Sequence, residues 1–137
     1  MTDYEIHKAA GVMLRGRKQL VVRSKNRKHF VEPGGKLDPG ETSEQALVRE
    51  LNEELSITVN ESDLEFFGTY YAIAAGSSRK KLRMDVYMVD AWRGEPKPSR
   101  EIRELAWISS AIPTGMQVGS ILEHDVIPHL LAQNLID

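Results

Sequence analysis

The sequence predicts an α+β fold in which a mixed β-sheet lies between helices, an α/β/α sandwich. Three observations predict it. Leu47, Leu51 and Leu55 recur at i, i+4 and i+8 and mark an amphipathic helix in the middle of the chain. Leu82, Met84, Val86 and Met88 alternate with Arg83, Asp85 and Tyr87, the period of a strand. The apolar-patterned tail, residues 123–135, reads as a second helix far along the chain from the first.

The remaining elements follow in order. Residues 6–14 (IHKAAGVML) read as a strand, 15–18 (RGRK) as a turn and 19–24 (QLVVRS) as the returning strand. Residues 24–29 (SKNRKH) form a basic polar loop, either solvated or facing phosphate. The stretch 29–41 (HFVEPGGKLDPGE) carries two prolines and three glycines, so it is a loop with special backbone geometry. The helix covers 43–55, and Thr42 with Gln45 three residues on fits a capping box. Residues 64–75 and 82–92 are strands around the turn GSSRKK, 93–101 is a loop, and 105–109 (LAWIS) is a short strand. Pro128 belongs in a first turn or at a kink of the tail helix.

Composition bounds the function. The 137 residues suit one domain, 1–137, and 41% hydrophobic content supports a core. The net charge is −2, so no broadly basic face is implied and stable nucleic-acid binding is not favoured. With no cysteine there are no disulfides or thiolate metal sites. The N-terminus lacks the basic start and long apolar middle of a signal peptide, and no run approaches the ~18 apolar residues of a membrane span. A cytoplasmic protein without a membrane partner is expected, as monomer or homodimer.

RELNEEL, 49–55, crowds carboxylates onto the central helix. Glu50 repels Glu53 and Glu54, at about 0.2–0.5 kcal/mol per pair. At about 100° per residue, Glu54 falls about 20° outside Leu47, Glu50 about 40° further and Glu53 about 60° beyond that. The three form a band beside the buried face. A solvated face accounts for Glu44 but not for Glu54, which is expected to be partly buried, where an unpaired charge is expensive. Arg49 reaches Glu53 but cannot neutralise all three. A hard divalent cation can, and Mg²⁺ characteristically sits between carboxylates and substrate phosphates. Gly34 and Gly35 allow a sharp turn and a close backbone approach just before the helix.

These residues resemble the signature of the Nudix hydrolase family, G-x5-E-x7-R-E-U-x-E-E-x-G-U, with U a bulky aliphatic residue. In GKLDPGETSEQALVRELNEELSI, residues 35–57, Gly35, Glu41, Arg49, Glu50, Leu51, Glu53, Glu54 and Ile57 fall in register. The one departure is Ser56, where the signature has glycine; it bears on how the helix ends, not on the ligands. The resemblance implies the Nudix fold and hydrolysis of a nucleoside diphosphate linked to another group, with Mg²⁺ as cofactor and Mn²⁺ able to substitute. It implies that Glu53, Glu54 and the Gly34 carbonyl bind metal. Glu50 is implied as a metal ligand or base, Arg49 as orienting the carboxylates, and Glu41 as bracing loop and helix. A further carboxylate is expected from Glu101 or Glu104, with Glu101 preferred. In this reading a carboxylate takes a proton from water, whose oxygen attacks phosphorus in line. Gly35, Lys36 and Arg23 are candidate substrate contacts.

The pattern of 82–109 and of ILEHDVIPHLL is similar to members that remove oxidised purine nucleoside triphosphates. That likeness implies a (d)NTP as the small-molecule substrate, with NMP and pyrophosphate as products. Glu123 and Asp125 are candidate base readers, and Phe30, Tyr70 or Tyr71 a stacking face. Glu123 can also be an ordinary first-turn glutamate, and Val31 is apolar where a polar reader would serve. Two alternatives stand beside this one: an ADP-ribose or other dinucleotide-type pyrophosphatase, and a catalytically silent nucleotide sensor or interaction module. His7, His29, His124 and His129 have no ligand spacing and read as surface or structural.

Overall fold

A computed structural model describes residues 4–73 and 80–137. The chain runs through β1 (Ile6–Val12), β2 (Leu14–Arg15), β3 (Lys18–Ser24), β4 (His29–Phe30) and β5 (Gly34–Lys36) to the central helix α1 (Ser43–Leu55). After a single 3₁₀ turn, Glu61–Asp63, come β6 (Leu64–Ile73), β7 (Lys81–Val89), β8 (Ile102–Ile108) and β9 (Gln117–Val118). A π-helical turn, Leu122–Val126, then leads into α2 (Ile127–Ala132).

The main sheet is mixed, ordered β5-β1-β7-β6. β1 pairs parallel with β7 and antiparallel with β5, and β6 pairs antiparallel with β7. A second antiparallel sheet runs β2-β3-β8, and β4 pairs parallel with β9. The β2–β3 hairpin turns on Gly16 and Arg17, both left-handed at φ 58° and 61°, a two-residue turn whose twist suits antiparallel strands.

Alternate residues of the strands feed two cores. Ala9, Met13, Leu20 and Val22 pack with Ala46, Leu47, Leu51 and Leu55 of α1. Ala10, Val12, Val21, Met84 and Val86 pack with Leu122, Val126, Ile127 and Leu130 of the C-terminal helical segment. Helices therefore cover opposite faces of the strands, the expected sandwich.

The element boundaries differ from the sequence reading in places. The proline- and glycine-rich stretch 29–41 contains β4 and β5, because its extended residues find partners on β9 and β1. β8 starts at Ile102, three residues before the expected strand, since β3 supplies a ladder that far. β7 ends at Val89 rather than residue 92. The expected strand 64–75 is described to Ile73, and residues 76–79 of the expected turn lie outside the described residues. The tail helix is not one regular element over 123–135. Pro128 has no N–H and its ring crowds the preceding turn; the wide π turn just before it relieves that crowding, and α2 stops at Ala132.

Candidate active site

Helix α1 starts as its sequence dictates. Gln45 N–H donates to Thr42 Oγ1 at 3.1 Å and Thr42 N–H donates to Gln45 Oε1 at 3.0 Å, a complete capping box. It ends on Ser56 in the left-handed conformation, φ 57° and ψ 33°, in the place where the signature has glycine. A buried anchor holds the first turn. Asp85, on β7, accepts from Ser43 Oγ at 2.5 Å and Thr69 Oγ1 at 2.8 Å, and bonds His7 Nε2 at 2.6 Å and Arg83 Nε at 3.0 Å. Burial alone would raise the Asp85 carboxyl, but these bonds together hold it down at about 2.

Arg49 organises the acidic band. Its Nε and Nη2 form a fork on Glu41, at 2.8 and 2.9 Å. Nη1 reaches Glu50 at 2.8 Å and Glu53 at 3.3 Å, and Nη2 also donates to the Lys36 carbonyl at 3.1 Å. Glu41 in turn accepts from the Asp38 amide at 2.7 Å, so it ties loop to helix. The Arg49 fork, then the Asp38 amide, bring the Glu41 carboxyl down to about 2, and Arg49 itself is raised.

Glu54 is 6% exposed and accepts from the Gly34 amide at 3.0 Å. Burial, then Glu50 and Glu101, push its carboxyl up to about 8 against that bond. Burial also raises Glu50, against the pull of Arg49. The two glycines are sterically required. A Cβ on Gly34, at φ 149°, would lie 2.1 Å from the Ala9 carbonyl, and one on Gly35 would lie 2.5 Å from the Glu50 carboxyl carbon.

Among the described residues no three acidic or histidine side chains form a ready-made cation cage. The expected set of Gly34, Glu50, Glu53 and Glu54 is held by internal partners: Arg49 takes Glu50 and Glu53, and the Gly34 amide takes Glu54. The donor set still suits a divalent cation. It consists of oxygen atoms, and the buried Glu54 carries an electrostatic cost that a cation would relieve. Glu53 and Glu54 would hold it, with Glu50 after release from Arg49.

The other expected residues divide. Glu101 is exposed and stands within electrostatic reach of Glu50 and Glu54. Glu104 is taken by Arg23, which donates from Nε at 2.7 Å and also bonds the Arg27 carbonyl. Lys36 is exposed and pairs across the sheet with Lys8. Phe30 is 8% exposed and packs in the core, because β4 lies under the C-terminal helical segment, so it is no open stacking face. Tyr71 is 57% exposed on the sheet face opposite Tyr70, because consecutive strand residues point to opposite sides. Glu123 is half exposed, beside a shallow depression lined by His29, Met116 and Gln117. Glu44, expected to be solvated, accepts from Tyr87 at 3.0 Å.

Sequence reading missed three residues. Lys8 faces Glu50 and Glu54; burial, then Lys36 and Arg27, lower its pKa. Its signal was a lone lysine in an apolar strand. Asp85 reads in the sequence only as one polar position in an alternating strand. Glu32 is 4% exposed, Oε2 has no hydrogen-bond partner, and burial pushes the group up to about 7. The signal there was a carboxylate wedged into the otherwise apolar run FVEP.

Comparison with known proteins agrees with this architecture. Residues 5–113 match the NUDIX domain family model. An 8-oxo-dGTP diphosphatase from Haemophilus influenzae is 41% identical over 76 residues, 56% of this chain and 52% of that one. The chain thus spans about half the length of that relative. An 8-oxo-dGTP diphosphatase from Proteus vulgaris is 30% identical over 100 residues, 69% of this chain and 85% of that one. A MutT protein structure from Methanosarcina mazei superposes with a TM-score of 0.76 at 22% identity, covering 94% of each chain.

Proposed function

We propose that this chain, which belongs to the NUDIX domain family, is a Mg²⁺-dependent pyrophosphohydrolase that cleaves a nucleoside triphosphate to the monophosphate and pyrophosphate. The observation that carries the reading is the Arg49 cluster: one guanidinium holds Glu41, Glu50 and Glu53 while Glu54 is buried beside them against Gly34. An exposed sensing or docking surface has no use for carboxylates kept together at that electrostatic cost. The names of the relatives favour an oxidised purine nucleotide as the substrate.

When bound, a divalent cation screens the phosphate charge and acidifies water. The chain supplies the rest. Lys8 and Lys36 face the phosphates. Arg49 and Glu41 fix the rotamers of Glu50 and Glu53 and brace the loop that carries Gly34 and Gly35. Glu101 or Glu50 accepts a proton from the attacking water. The water oxygen then bonds to phosphorus as the P–O bond of the α–β bridge opposite it breaks, and the nucleoside monophosphate or the pyrophosphate on the far side of that bond departs in line. No side-chain nucleophile is required.

Residues 1–137 are proposed to act as one domain, in the cytoplasm, as a monomer or homodimer, on a small-molecule nucleotide and without stable nucleic-acid binding. No helix among the described residues is long and apolar enough to cross a membrane. The test is a nucleotide screen with Mg²⁺ or Mn²⁺ and products identified by mass. Monophosphate and pyrophosphate from a purine triphosphate support the reading. ADP-ribose as the best substrate by tenfold replaces the substrate, and no turnover of any nucleotide leaves a silent binding module.

A further inference from the structure

The main sheet ends on β6, whose single neighbour among the described residues is β7. Natural edge strands are usually blunted by lysine or proline. β6 is ten residues long with neither, and Glu65 is its one charge. A bulge between Phe66 and Gly68 bends the strand, but Thr69–Ile73 pairs regularly.

One face of this edge strand is also apolar. Leu64, Phe66, Thr69, Tyr71 and Ile73 share the α1 side of the sheet, because they stand opposite Val89, Tyr87, Asp85, Arg83 and Lys81. Helix α1 packs over Ala9 of β1 and over Tyr87 and Val89 of β7, and of β6 that core takes in only Leu64. Beyond it Phe66, Tyr71 and Ile73 are 60%, 57% and 54% exposed. Single apolar side chains on a surface need no explanation, but three in one stripe along an open edge mark an interface. The two ends of the strand differ in charge. Glu61 and Glu65 stand at its start, and Lys80 and Lys81 beside its end, all exposed. A second β6 laid antiparallel sets each acidic start beside the other copy's basic end and Phe66 towards the other copy's Ile73. A parallel copy would set like charges together.

We propose that two copies of this chain associate through β6, antiparallel about a twofold axis, so that their four-stranded sheets join into one. The three open side chains contribute roughly 300–400 Å² per copy. With the backbone edge and the charged ends the total reaches about 1,000 Å², the low end of specific interfaces. A concentration-dependent dimer is therefore expected, not a permanent one. The carboxylate band gathers against β5, at the opposite edge of the sheet. That is about 14 Å away across three strand spacings, so association and hydrolysis are read separately.

The experiment is sedimentation equilibrium of the full chain from about 1 μM to about 200 μM, in the wild type, Phe66→Lys, Ile73→Glu and Glu65→Lys. The wild type is expected to pass from monomer to dimer within that range. Phe66→Lys places a charge in the stripe, and Ile73→Glu sets a carboxylate against the other copy's acidic start. Each is expected to weaken the dimer at least tenfold, with hydrolysis within about twofold of the wild type. Glu65→Lys is expected to weaken it about threefold, and Glu65→Lys combined with Lys81→Glu, which exchanges the charged ends, to restore it. A wild type that stays monomeric throughout overturns the proposal and leaves the stripe to a different protein. A dimer that persists in both Phe66→Lys and Ile73→Glu is built elsewhere and overturns it too. The wild-type series requires no variant, and melting curves show whether each variant folds.

Discussion

Ser56→Gly isolates the one position at which the chain departs from its signature. Ser56 closes α1 at φ 57° and ψ 33°, and its N–H still donates to the Asn52 carbonyl at 3.0 Å. A residue with a Cβ costs roughly 1–2 kcal/mol in this region. Glycine removes that cost but adds roughly 0.5–1 kcal/mol of freedom to the unfolded chain. The net gain expected is about 0.5–1 kcal/mol. For a chain of this length that raises Tm by about 2–4 °C. Ser56 is exposed, so little packing changes. The assay is thermal and urea unfolding of the wild type, Ser56→Gly, Ser56→Asn and Ser56→Val in EDTA. Stability is expected to fall in the order Gly, Asn, Ser, Val, because asparagine tolerates the left-handed region and β-branched residues do not. A lower Tm for Ser56→Gly, or a valine variant as stable as the wild type, would refute the reasoning.

The other expectations concern chemistry and pH. Excess EDTA should abolish hydrolysis and Mg²⁺ or Mn²⁺ restore it; full turnover in EDTA would sink the mechanism. Glu53→Gln and Glu54→Gln should each remove most activity, while Tm without metal stays unchanged or rises. The sign follows from the raised Glu54 carboxyl: the folded chain holds a proton that the unfolded chain releases, so stability falls as pH rises from about 4.5 to about 8, and the amide removes that loss. Near-normal rates in both variants would mean that the band serves the fold and not the chemistry. Arg49→Lys keeps the charge but loses the fork on Glu41, and kcat should fall by about 10- to 100-fold with the fold intact; an unchanged rate would show that Arg49 positions nothing. Asp85 works in the opposite direction from Glu54. Its depressed pKa contributes on the order of 2 kcal/mol above about pH 3.8, lost as pH falls through about 2, and Asp85→Asn should flatten that part of the acid denaturation curve.

The sequence alone determined the elements whose cause is local. The leucine stripe, the Thr42–Gln45 box and the angular order of Glu54, Glu50 and Glu53 all follow from 3.6 residues per turn, and α1 forms where the stripe places it. The acidic band and its arginine were legible for the same reason, since Arg49 and its partners lie within 13 residues of one another. How the helix ends at Ser56 was open in the sequence, and the structure decides it, with φ 57° and ψ 33°.

Only the tertiary structure decided which distant residues meet these. A two-residue strand such as β4 or β9 carries no periodic signal, and it exists because a partner happens to lie beside it. Glu101 stands within electrostatic reach of the carboxylates while Glu104 is taken by Arg23, because β8 pairs with β3 in the register that sets Glu104 opposite Arg23. Asp85 anchors the first turn of α1 from β7 through the Ser43 hydroxyl, 42 residues away. Glu32 comes within electrostatic reach of Asp125, and Lys8 lies beside Lys36, by strand pairing and helix packing. Helical spacing fixes neighbours three and four residues apart; everything further along the chain is decided by how faces are buried against one another, and that is a property of the whole fold.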